Sequence, residues 1–264
     1  NIYIKLSNYK VERGLYMRSS RLLKVFEDYI KKIDMNNIWA KAKYFHSLKS
    51  MDLARNIATD LGIFEEEEIV IIELIALFHD IGNFNEKEHN YLDNNEEDST
   101  MKSINILFDE GLIRKITDET KYDNLIKLAI FCHNKDGLPK NIDDKTICIC
   151  NIMKDVYRIE ELHMFINYPY IDNRINEYPT SLVYDDFKQF KEINSKMSDN
   201  NADNVLIVLS HLFGLNYKIS YSLVEEKGYI EKIVDSLVFE DKKIEKFFNQ
   251  IVLVLKNYLK KKIN

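Results

Sequence analysis

Glycine and proline are scarce in this chain, seven and three in 264 residues. So little turn chemistry argues for long helices over a sheet. Cysteine is scarcer still. Cys132, Cys148 and Cys150 are an odd number in a large chain, which excludes a disulfide framework. On a helix the C-x-C thiols Cys148 and Cys150 point about 200° apart, so they read as core thiols and not as a metal pair. Long apolar runs are missing too: the longest, "IVIIELIALF", is interrupted by Glu73 and falls short of the ~18 residues that span a bilayer. Positive charge is not in excess. Lysine and arginine number 37 against 43 acids, a net charge of −6 with a pI near 5.6. That offers no footprint for a nucleic-acid polymer or an anionic membrane. The first residues lack the charged-then-apolar plan of a secretory signal, and the expected location is the cytoplasm.

What remains is an ordinary globular balance, 45% hydrophobic and 30% charged, long enough to bury a core. Helical periodicity runs through it. Leu22, Leu23, Phe26, Tyr29 and Ile30 share one helical face; Phe45, Leu48, Leu53, Ile57 and Leu61 share another, with Gly62 placed to cap it. Glu65, Glu66, Glu67 and Glu68 load the first turn of a buried helix that runs to Asp80 and stops at Gly82. Asp98 or Ser99 is placed to cap the next helix, closed by Gly111. The aperiodic "INYPYIDNRINEYPT" holds two of the three prolines and marks a boundary or long loop. The expected fold is all-α, with a main domain over residues 15–166 and a helical extension over 180–264.

Within these helices stand polar residues whose neighbours are apolar. His79 and Asp80 end the buried helix in "LFHDIGNF"; His46, His133 and Asp155 sit on other helices or helix ends. Adjacent helical positions differ by about 100°, close to the right angle between neighbouring ligands of an octahedral metal. His79 and Asp80 can thus take two cis positions on one ion, with His46 and Asp155 supplying two more. Two imidazoles and two carboxylates suit Mn, Fe, Co, Ni or Zn better than Ca. Positions left open for water and a substrate oxygen are what metal-assisted hydrolysis requires.

The blocks "HSLKSMDLARNIATDLG", "LIALFHDIGNF", "AIFCHNKDGLP" and "MKDVYRIEEL" resemble, in order, those of HD-domain phosphohydrolases. The match is closest to bacterial members with HDIG-R-F, H-N-K and D-A-D-K-L blocks, and "SHLFGLNYKISYSLVEEKGYIEKI" resembles their C-terminal helical part. The resemblance implies an HD-domain helical bundle holding one divalent ion (Mn, Fe, Co, Ni, Zn or Mg) on His46, His79, Asp80 and Asp155. It gives the catalytic roles to Asp80 and to His133, which lines the site and can contact a phosphate or a second metal. The implied activity is hydrolysis of a nucleotide or another small phosphate ester.

The chain departs from that pattern at several positions. Ser99 stands where the subgroup has a histidine, which weighs against a second metal and against iron-dependent oxygenation. Asn83 replaces the arginine after HDIG, and Met153 and Val156 replace the first aspartate and the lysine of the last block. Two phosphate-facing cations are thereby expected to be lost, with Lys49, Lys135, Lys154 and Arg158 as the candidates to replace them. The rival reading is a degenerate HD domain that binds metal or ligand without turnover. Glu86 and Glu88 are placed to act as a base or to orient water, His89 reads as solvated loop, and His163 and His211 read as structural.

Overall fold

A computed structural model describes the backbone of residues 9–84, 96–135, 137–167 and 173–264, and the side chains of these except 9–18 and 96–99. The described residues divide into two compact units, the first ending at Met153 and the second beginning at Lys154. The division falls inside a helix, between Met153 and Lys154. The only strands among the described residues are the two-residue pair Arg174–Ile175 and Val238–Phe239, which run parallel. The all-α expectation holds.

The first unit is built from α1 (Tyr9–Ile30), α2 (Ile38–Leu61), α3 (Glu66–Phe78), α4 (Glu96–Phe108), α5 (Asp123–Cys132) and the start of α6 (Asp144–Asn167). At the start of α2 the Asn37 side chain accepts the Trp39 backbone N–H at 2.8 Å, and at its end Gly62 takes the left-handed conformation at φ 63°. The first turn of α3 is acidic, and the Glu65 N–H donates to the Glu68 carboxylate at 2.9 Å. Every residue from 70 to 81 is buried. Such a helix has no polar face; it is the axis of the unit, with α1, α2 and α5 packed around it. The one charge in its buried part, Glu73, is fully buried and is satisfied by Arg55 and by Ser19, whose hydroxyl donates at 2.8 Å.

Two local expectations are corrected. Gly82 does not end α3 through its backbone freedom, for its φ is not positive. The helix ends at Phe78, and Gly82 lies in a 3₁₀ turn, Ile81–Asn83, that crosses α4 at close range. A Cβ on Gly82 would meet Lys102 Cβ and Ser103 N at 2.7 Å, and the Gly82 N–H donates to Ser103 Oγ at 3.0 Å. Glycine is required there by the neighbour. Likewise α4 begins at Glu96, so Asp98 and Ser99 lie within its first turn and neither is its cap.

The second unit holds the remainder of α6 with α7 (Ser181–Lys188), α8 (Asn201–Ser210), α9 (Lys218–Lys227), α10 (Tyr229–Asp235) and α11 (Lys242–Ile263). The stretch "SYSLVEEKGYIEKIVDSL" is two helices, because Gly228 at φ 62° turns the chain between α9 and α10. Asp203, fully buried on α8, accepts the backbone N–H of Thr180 at 2.7 Å and so ties the start of α7 to α8.

Candidate metal centre

His46 projects from the middle of α2, while His79 and His133 each occupy the position just past the last turn of a helix, α3 and α5 respectively. The two helix-end histidines use one device. His79 donates Nδ1–H to Ala76 O at 2.8 Å and His133 donates Nδ1–H to Ile130 O at 2.6 Å, each reaching back three residues. This leaves Nε2 of both rings as the lone-pair nitrogen. The rings cluster: the His79 centroid lies 5.1 Å from that of His46 and 4.9 Å from that of His133.

Asp80, next in chain after His79, turns its Oδ2 toward the imidazoles, 3.6 Å from His46 Nε2 and 3.9 Å from His79 Nε2. The two Nε2 atoms are 3.1 Å apart. With metal–nitrogen bonds of about 2.1 Å, two cis ligands of one ion stand ~3.0 Å apart, so the imidazole pair already has the required spacing. His46, His79 and Asp80 are all buried, and one donor atom from each lies within 4.8 Å of the others.

The ionisation states also fit a cation. Burial pushes His46 down to about 3, assisted by the nearby Lys43 charge, and pushes His79 and His133 down to about 4. All three rings are neutral at pH 7, as a ligand must be. Burial, the largest single influence, would raise the Asp80 carboxyl, but the Lys43 ammonium together with His79, His46 and His133 outweighs it and holds Asp80 well below the usual carboxylate range. Neutral imidazoles beside an ionised carboxylate suit a borderline divalent cation, and His46, His79 and Asp80 are the residues that would hold it.

Lys43 is the residue that reading the sequence overlooked. Its Nζ donates to Asp80 Oδ2 at 2.6 Å, and its side chain is only 13% exposed. It precedes His46 by three residues on α2, a spacing that puts both on one helix face. That spacing was the available signal. Asn83 is not merely a lost arginine either: its Nδ2 donates to Asp80 Oδ1 at 3.1 Å, so each Asp80 oxygen has a side-chain donor.

Asp155 belongs to the second unit. There its carboxylate accepts the backbone N–H groups of Asn216 and Tyr217, the Asn216 side-chain amide and the Ser220 hydroxyl, the last at 2.6 Å. Burial raises its pKa against the pull of these donors. Val156 is 1% exposed among core residues, so a lysine at that place would carry its charge into the core. Arg158 is engaged by Glu192 through two bonds of 2.8 and 2.6 Å, and His211 joins the same carboxylate at 2.9 Å. Lys135 lies over the Phe131 ring. Glu86, Glu88 and His89 lie outside the described residues, as do the side chains of Asp98 and Ser99.

Residues 44–155 match the family model of the HD domain. The similarity to the HD domain lies in that segment, which contains His46, His79, Asp80, His133 and Asp155. No curated protein and no solved structure matches it.

Proposed function

We propose that the chain is a metal-dependent phosphohydrolase acting on a nucleotide or another small phosphate ester. The observation that carries this reading is the buried convergence of His46, His79 and Asp80, in the protonation states a divalent cation needs, inside an HD domain. A bound ion there supplies an acidified water and a Lewis acid for a phosphoryl oxygen. The protein's own part is to hold those donors and to exclude bulk water by burial. His133, neutral and edge-on to His79, is the side chain assigned to the phosphate or the leaving group.

A second reading, metal or ligand binding without turnover, is favoured by one observation: Lys43 and Asn83 already satisfy both oxygens of Asp80. Metal analysis of the purified chain, joined to a phosphatase screen across nucleotides with Mn, Fe, Co, Ni, Zn and Mg, separates the two. Stoichiometric metal with turnover that Asp80→Ala abolishes supports the hydrolase. Stoichiometric metal with no turnover across the panel supports the binding module, and metal retained in full by Asp80→Ala sinks the assignment of the site.

A further inference from the structure

The Asp80 oxygen that faces the imidazoles is the same oxygen that Lys43 holds. Oδ2 lies 3.6 and 3.9 Å from the two Nε2 atoms and 2.6 Å from the lysine Nζ. A cation drawn to His46, His79 and Asp80 must therefore take Oδ2 from an ammonium already in contact with it. A buried carboxylate without a counter-charge is costly, and among three uncharged imidazoles Asp80 would be in that position but for Lys43. Lys43 also shares a helix face with His46, so its ammonium and any ion at His46 repel each other at short range.

We infer that Lys43 is an internal cation that occupies the metal position's carboxylate when no metal is bound and competes with the metal for it. It stabilises the metal-free chain and weakens metal binding, so it sets the concentration of metal at which the site fills. The inference rests on the metal-site reading above, and it concerns affinity, which is measured apart from turnover.

The test is calorimetric titration of the chelator-stripped full chain with Mn²⁺ and with Co²⁺. Wild type is compared with Lys43→Met and with Lys43→Gln, the latter keeping an amide donor without charge. Both variants are expected to bind each ion roughly tenfold more tightly or better, the equivalent of one lost hydrogen bond to a charged group. Their metal-free melting temperatures should fall below that of wild type while their metal-saturated ones approach it. Equal or weaker binding by both folded variants overturns the inference and leaves the metal site standing. Absence of binding in all three proteins overturns the metal site itself, and this inference with it.

Discussion

At the scale of single residues, the cluster is a set of groups whose charge states depend on being out of water. His46, His79 and His133 titrate at about 3 to 4 when folded, against an ordinary value of 6.5. Between those limits the unfolded chain binds more protons than the folded one, so acid favours unfolding. The metal-free protein should therefore lose stability steadily as pH falls from about 6.5 to 4, as thermal melts across that range will show. Asp80, whose carboxyl is depressed, adds its own loss only below its unfolded value near 3.8. His133→Gln should flatten the slope between pH 6.5 and 4; an unchanged slope would mean that the ring is not held neutral by burial. His79 and His133 were legible in the sequence because a polar residue ending an apolar helix is conspicuous, whereas His46, inside α2, stood out only by its place in the ordered set. Lys43 was not, because lysines are common on helices and this one acquires meaning only once folding brings Asp80 to it.

At the scale of elements, the turn that follows Asp80 is positioned by contact. The 3₁₀ turn Ile81–Asn83 lies so close to α4 that Gly82 admits no Cβ. Gly82→Ala should cost roughly 1–3 kcal/mol, the usual cost of forcing extra atoms into a packed place, and should lower metal affinity, since Asp80 and Asn83 flank the displaced segment. Chemical denaturation and a metal titration read the two effects; a variant as stable as wild type would show that α4 yields freely. The sequence placed this glycine at the helix end but suggested the wrong reason, because close approach by Lys102 and Ser103 is a tertiary fact. The break at Gly228 is different in kind: there the backbone itself is left-handed. In the second unit, Asp155→Ala should destabilise by on the order of 3 kcal/mol, because it strands the Asn216 and Tyr217 N–H groups and the Ser220 hydroxyl.

At the scale of the molecule, the balance of 37 basic to 43 acidic residues predicts no salt-sensitive retention on a polyanion column. Helical content was legible from end to end, since periodicity and few turns are properties of the chain alone. The division between Met153 and Lys154 was not, because it falls in an unbroken helix with no glycine or proline to mark it. In the first unit, the stretch from Val70 to Ile81 is buried without a gap, so its backbone stays out of bulk solvent while its neighbours stay packed. Its amide protons should exchange with deuterium only when the unit opens as a whole, and the amides of His79 and Asp80 should be among the slowest in the protein. The backbone that carries His79 and Asp80 would then have no partly opened form: it is either in place or the unit has unfolded.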